Sequence, residues 1–323
     1  MKILKISGII IAVFVVVVAG VLIYITNHLP SIPVQDIKVE VTPERVEKGR
    51  YLANNVFVCM DCHSTRQWDK YAGPMKPGSD GNGGETFGRE MGLPGKYVAS
   101  NLTPYNLKDW SDGEIFRAIT SGVGKGDRPL FPIMPYMSYG RLAKEDIYSV
   151  IAYLRTLPEI KNDTEPSESD FPMSVIIHMI PQEPNLQEKP DPSDVINYGK
   201  YLVTGAGCAD CHTPMKDGKP VEGMTFAGGQ EFPLPFGTLR TPNITPDNET
   251  GIGIWSKENF IDKFKSFELS NYQPENVTLN EFNTIMPWTM YAGMDSTDLA
   301  AIYDYLRTIK PIKHQVERAE FRN

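Results

Sequence analysis

The sequence predicts a mainly α-helical protein, with two tandem helical domains behind one N-terminal transmembrane helix. Three observations carry that expectation. Residues 6–26, ISGIIIAVFVVVVAGVLIYIT, hold no charged side chain. The rest of the chain runs twice through one ordered set of short motifs. The closing segment of each run has apolar residues at i, i+3, i+4 and i+7, which is one buried helical face displayed twice.

The apolar run of 21 residues rises about 31 Å as a helix, enough to cross a bilayer whose hydrocarbon core is about 30 Å thick. Lys2 and Lys5 precede it, which leaves the N-terminus in the cytoplasm and the rest of the chain on the far side. A cleaved signal peptide has a shorter core of about 7–15 residues. A weak cleavage site at Val17-Val18-Ala19 would fall inside the run. The segment 1–28 therefore reads as a retained anchor, and 29–41, with prolines at 30 and 33, as an extended tether.

Thr42-Pro43 starts the first domain, 42–158, with proline in the turn where its missing N–H costs nothing. Ser111 and Glu114 have capping-box spacing, and Ser256 is placed to cap the equivalent helix of the second domain, 193–312. The last helices carry Ile147, Val150, Ile151 and Leu154, then Leu299, Ile302, Tyr303 and Leu306. Gly49 and Gly199 recur inside the first helix of each run, at a cost of about 1 kcal/mol relative to alanine. Close crossing by another helix accounts for them. Residues 158–192 hold seven prolines, so 159–192 is a connector without long helices, and 313–323 is a C-terminal tail. Within the connector SVIIHMI is apolar and is expected to pack on a domain, with His178 as a packed or surface histidine.

The motifs of the first run are KGRYL, CMDCH, NLTP, WSDGE, IMPY and YLRTL. Those of the second are YGKYL, CADCH, NITP, WSKEN, IMPW and YLRTI, in the same order. Residues 133–156 align with 285–308 without a gap, with nine identities in 24 positions. A repeat this long is a whole domain rather than a solenoid unit.

All four cysteines fall in the two Cys-x-x-Cys-His motifs: Cys59, Cys62 and His63, then Cys208, Cys211 and His212. One such pair alone leaves zinc, a dithiol switch or covalent haem open. Paired zinc motifs usually stand about 15–20 residues apart, whereas 145 residues separate Cys62 from Cys208. A thioredoxin-like pair needs a strand–helix–strand setting that neither motif has. Covalent haem uses the histidine as well, since two thiols form thioethers to the porphyrin and the imidazole takes one axial position on iron.

The second axial position decides between an electron carrier and an enzyme with an open iron. Thirteen methionines are present, and most fill the core. Met137, Met290 and Met294 align with other residues in the companion repeat. Met134 and Met286 recur, each within Ile-Met-Pro-aromatic, 71 and 74 residues after their histidines. They are the expected sulfur ligands, with Met137 the runner-up in the first domain.

This ordered set resembles tandem class I-like cytochrome c domains, as in membrane-anchored dihaem cytochromes c. It is also similar to the cytochrome subunits of bacterial membrane-bound alcohol and aldose dehydrogenases. The resemblance covers roughly 42–311. It implies two covalent haem c groups, with His63 and Met134 on one iron and His212 and Met286 on the other. It further implies electron transport on the periplasmic side of a bacterial inner membrane, with a quinol-oxidising complex, dehydrogenase or terminal oxidase as redox partner. Those dehydrogenase subunits usually carry three haems and this chain has two motifs, so a stand-alone or complex-bound dihaem cytochrome is the nearer match. The rival is a dihaem enzyme of peroxidase or thiosulfate-oxidising type, with one open haem. The expectation is that the chain is no enzyme.

The remaining features are secondary. A formal charge of −8 argues against a nucleic-acid partner. Asp80, Asn82 and Glu85 stand among glycines in GSDGNGGE, which reads as a surface turn rather than a calcium loop. Asn101 and Asn243 read as structural loop residues near the haem. Trp110 and Trp255 could pack on porphyrin or on the core, and the sequence does not decide between these.

Overall fold

The computed structural model describes residues 2–216 and 218–322. Helix α1 (Lys2–His28) is the one helix among the described residues long and apolar enough to cross a membrane, and Lys5–His28 is not buried against the rest of the protein. The remaining regular structure is mostly helix.

In the first repeat, α2 (Pro43–Tyr51) starts where Arg45 N donates to Thr42 Oγ1 at 3.3 Å. It continues through a π-helical turn at Leu52–Val56 towards α3 (Cys59–Cys62). Then come α4 (Pro104–Leu107), α5 (Asp112–Ser121), α6 (Tyr136–Tyr139) and α7 (Lys144–Leu154). Both halves of the capping box on α5 form: Glu114 N donates to Ser111 Oγ at 3.1 Å, and Ser111 N to Glu114 Oε2 at 2.7 Å. The connector holds α8 (Met173–Ile176) and a 3-10 turn, Ile177–Met179. The second repeat supplies α9 (Val195–Gly205), α10 (Cys208–His212), α11 (Lys257–Lys265), α12 (Trp288–Tyr291) and α13 (Ser296–Thr308). Asn259 N donates to Ser256 Oγ at 3.1 Å, the expected cap of α11.

The most extensive helix–helix contacts are α2 with α7 and α9 with α13. Gly49 and Gly199 stand at these crossings, where an added Cβ would fall onto the carbonyl oxygens of Ser149 and Ala301. Their recurrence is thus a packing requirement. The eight apolar residues expected on the inner faces of α7 and α13 are all buried.

Small antiparallel sheets complete the repeats. β1 (Thr86–Phe87) and β2 (Gly95–Val98) are joined by β3 (Glu168–Ser169), with Gly95 opposite Ser169. β4 (Met215–Lys216) and β5 (Lys219–Pro220) form a hairpin. β6 (Glu231–Leu234) and β7 (Gly237–Arg240) are joined by β8 (Ala319–Phe321), with Gly237 opposite Phe321. The segments expected as connector and tail therefore each add a strand to the repeat before them, and the limits expected at 158 and 312 stop short of these strands.

The two repeats are bound by a reciprocal exchange. Tyr51 OH donates to Asp298 Oδ2 at 2.7 Å and accepts from Asp295 N at 3.0 Å. Tyr201 OH donates to Asp146 Oδ2 at 2.8 Å and accepts from Ala143 N at 3.1 Å. These are equivalent positions, so the contact has approximate two-fold symmetry. Asp146 also pairs with Lys48 and, at 3.3 Å, with Lys189. Buried apolar residues of both repeats form one contiguous cluster rather than two separate cores.

Candidate functional site

Each Cys-x-x-Cys-His motif is a single helical turn entered through a left-handed residue, Val58 (φ 46°) or Gly207 (φ 63°). The turns close alike, with Asp61 N donating to Val58 O and Asp210 N to Gly207 O, both at 3.0 Å. Burial pushes all four thiols up to about 12, so they stay protonated near neutral pH. Among the described residues no three His, Cys, Asp or Glu side chains gather as a metal-binding group, so the two cysteine pairs do not converge on one zinc.

The histidines are held identically. His63 Nδ1 donates to Ser100 O at 2.7 Å, and His212 Nδ1 to Pro242 O at 2.8 Å. Each Nε2 is without a hydrogen-bond partner among the described residues. Burial lowers the pKa of both rings, partly opposed by these carbonyls, which favours neutral imidazole with a free lone pair.

The Asn-x-Thr-Pro segments present those two carbonyls. Asn101 Oδ1 accepts from Thr103 N at 2.8 Å and Thr103 Oγ1 at 2.7 Å, while its Nδ2 donates to Ile160 O at 2.8 Å. Asn243 makes the same bonds, to Thr245 N at 2.9 Å, Thr245 Oγ1 at 2.8 Å and Ile312 O at 2.8 Å. Gly83 and Gly228 donate to the carbonyls of His63 and His212, each at 2.8 Å. Both have positive φ and pass tightly over the Asn loops, so a side chain there would be strained and crowded. The GSDGNGGE loop is thus a brace for His63. Among the described residues its acidic side chains belong to no metal-binding group.

The Met-Pro loops also match. Pro135 (φ −79°, ψ 47°) and Pro287 (φ −79°, ψ 63°) form inverse γ-turns, with Tyr136 N donating to Met134 O at 2.8 Å and Trp288 N to Met286 O at 2.7 Å. Tyr139 OH donates to Phe57 O at 2.7 Å and Tyr291 OH to Ala206 O at 2.6 Å. Each tyrosine thereby ties its Met loop to the residue two places before its own first cysteine.

One cavity of about 1690 Å³ collects these parts. Cys59, Cys62, His63 and Met134 line it, and so do Cys208, Cys211, His212 and Met286. Trp110 and Trp255 line it too and also pack against the apolar core. Met137 is absent from its wall and 37% exposed, so it is not placed as a ligand. Met294 reaches the wall but is a core residue, 1% exposed. His178 lies at the rim with its Nδ1 donating to Leu29 O at 2.8 Å. Protonated thiols, neutral imidazoles with open Nε2 atoms, thioether sulfurs and apolar walls are the donor set and environment that covalent haem requires. The residues fit the group.

Sequence reasoning missed the carbonyls of Ser100 and Pro242, the glycine brace, and the roles of Tyr139, Tyr291, Tyr51 and Tyr201. Identity of the tyrosines between the repeats was the available signal.

Residues 196–310 match the family model described as Cytochrome c. The chain is 28% identical over 284 residues to the cytochrome c subunit of an alcohol dehydrogenase (quinone) from Gluconacetobacter polyoxogenes, covering 83% of this chain and 56% of that protein. It is 25% identical over 307 residues to the fructose dehydrogenase cytochrome subunit of Gluconobacter japonicus, covering 90% and 57%. Similarity to a dihaem c-type cytochrome of Cereibacter sphaeroides is 29% over 175 residues, covering 51% and 57%. The chain thus spans little more than half the length of these curated relatives. Residues 196–310 thus correspond to a cytochrome c domain, and the chain is similar to cytochrome subunits of dehydrogenases.

Proposed function

We propose that the chain is a membrane-anchored dihaem cytochrome c, with α1 in the inner membrane and both repeats on the periplasmic side. Each repeat is read as a cytochrome c domain. Cys59 and Cys62 would attach one haem and Cys208 and Cys211 the other. His63 and Met134 would bind one iron, and His212 and Met286 the second. Bound haem supplies a one-electron ferric–ferrous couple, whose potential methionine ligation raises. The protein holds each imidazole neutral and oriented, presents each sulfur on a proline-stiffened turn, and surrounds both with apolar walls that exclude water.

The observation that carries this reading is the duplicated geometry. Both motifs and both Met-Pro loops line one cavity, and both histidines direct Nδ1 to a backbone carbonyl. With both axial positions filled, neither iron binds a substrate, and the chain relays electrons without catalysing a reaction of its own. The similarity to cytochrome subunits of dehydrogenases supports a dehydrogenase as donor or partner, with a quinol-oxidising complex and a terminal oxidase as other neighbours in the chain of transfer. Replacing Met134 and Met286 by alanine in turn, with ferric spectra taken each time, tests the assignment. Each loss is expected to halve the sulfur-to-iron charge-transfer band. An unchanged band would show that the substituted methionine is no ligand, and a haem already lacking the band before substitution would favour the enzyme reading.

A further inference from the structure

The connector turn, which electron transfer leaves unused, is fastened to the end of the apolar helix. His178 donates to the Leu29 carbonyl at 2.8 Å, and α8 and the following 3-10 turn both touch α1. Residues 171–181, FPMSVIIHMIP, carry no Lys, Arg, Asp or Glu. Within them Ile177 is buried, at 7% exposure, while Phe171 is 79% exposed, Ile176 38% and Met179 51%.

The depth of this turn follows from the helix that holds it. Lys5–His28 is 24 residues and rises about 36 Å, against a hydrocarbon core of about 30 Å. A centred span therefore brings His28 and Leu29 into the headgroup layer, and the turn bonded to Leu29 lies at that level. The chain leaving α1 then runs along α5 of the first repeat, where Arg117 donates to Ile32 O at 2.8 Å and Val39 N to Asp112 Oδ2 at 2.8 Å. Leu29, Pro30, Ile177 and His178 also line the cavity shared by the two motifs.

We propose that residues 171–179 are a second membrane contact, an interfacial turn that inserts Phe171, Ile176 and Met179 at the headgroup–acyl boundary. The partner is the lipid surface. The contact sets the tilt of the globular body and holds the first repeat's part of the cavity at the membrane, so the first repeat is the membrane-proximal one. This inference rests on the anchor reading of α1.

The test uses the full-length holoprotein in phospholipid nanodiscs, with spin labels on Phe171→Cys, Met179→Cys, Leu279→Cys and Val17→Cys, one at a time. Leu279 is an equally apolar, 72% exposed residue of the second repeat. Power saturation with oxygen and with a water-soluble nickel chelate reports whether each label meets lipid or water. The oxygen-to-nickel accessibility ratio is expected to be several-fold higher at 171 and 179 than at 279, with the haem spectrum unchanged. Ratios at 171 and 179 equal to that at 279, beside a high ratio at 17, would overturn the interfacial turn and leave the anchor standing. A low ratio at 17 as well would overturn both.

Discussion

Substituting Tyr201 by phenylalanine removes one oxygen from the contact between the repeats and little else. That hydroxyl donates to Asp146, which is fully buried, and accepts from Ala143 N. A hydrogen bond to a charged group contributes about 1.5–3 kcal/mol, and an orphaned buried N–H costs about 1–3 kcal/mol. Lys48 and Lys189 still pair with the carboxylate, so the sum falls towards the lower ends, at about 3 kcal/mol. Tyr51→Phe is milder, at about 1–2 kcal/mol, because Asp298 keeps its bond from Tyr198 at 2.9 Å and the Asp295 N–H lies near solvent. Guanidinium unfolding followed by far-UV circular dichroism measures both. Tyr201→Phe should raise the unfolding equilibrium constant by about a hundredfold, since about 1.4 kcal/mol is tenfold. The haem spectra should stay unchanged. A loss under about 0.5 kcal/mol, or equal losses in the two variants, would refute the reciprocal contact as drawn.

Other outcomes follow from the same geometry. Gly199→Ala places a methyl on the Ala301 carbonyl and should destabilise by about 1–2 kcal/mol, overpacking exceeding the gain in helix propensity, whereas Gly8→Ala meets nothing and should not destabilise. Paired thermal melts check this. Asn243→Ala orphans the buried Thr245 N–H and should cost about 2 kcal/mol in denaturant titration, with Asn243→Asp intermediate because it keeps the acceptor. Burial lowers the pKa of His63 and His212, so the neutral ring persists as pH falls and proton competition begins only below the ordinary histidine range. In the haem-free chain, an NMR titration of the ring protons should therefore show both histidines protonating only below pH ~6.5. A transition at or above that value would contradict the burial argument.

Much of this site was legible because duplication separates requirement from accident. Thr42, Ser111 and Ser256 announce helix starts by residue type, and Gly49 and Gly199 announce close crossings. Met134 and Met286 stand out from thirteen methionines only because both repeats hold them. The rest lacked a local signature. β3 and β8 are two and three residues long and pair across 72 to 84 positions, too short for any alternation to register. The carbonyls that orient the histidines belong to Ser100 and Pro242, and a backbone acceptor leaves no mark on residue type. Tyr51 and Tyr201, or Asp146 and Asp298, are visibly equivalent between repeats, but equivalence does not reveal that each tyrosine crosses to the other repeat's aspartate. For the same reason the repeat pattern does not reveal that the apolar interior is continuous across both copies.

The central claim, that each repeat carries its own covalent haem, is tested most directly by intact-mass spectrometry of the denatured chain. The account predicts the polypeptide mass plus two haem groups, reduced by one when Cys59 and Cys62 are both replaced by alanine and likewise for Cys208 and Cys211. A chain carrying a single haem, or one whose haem leaves on denaturation, would contradict it.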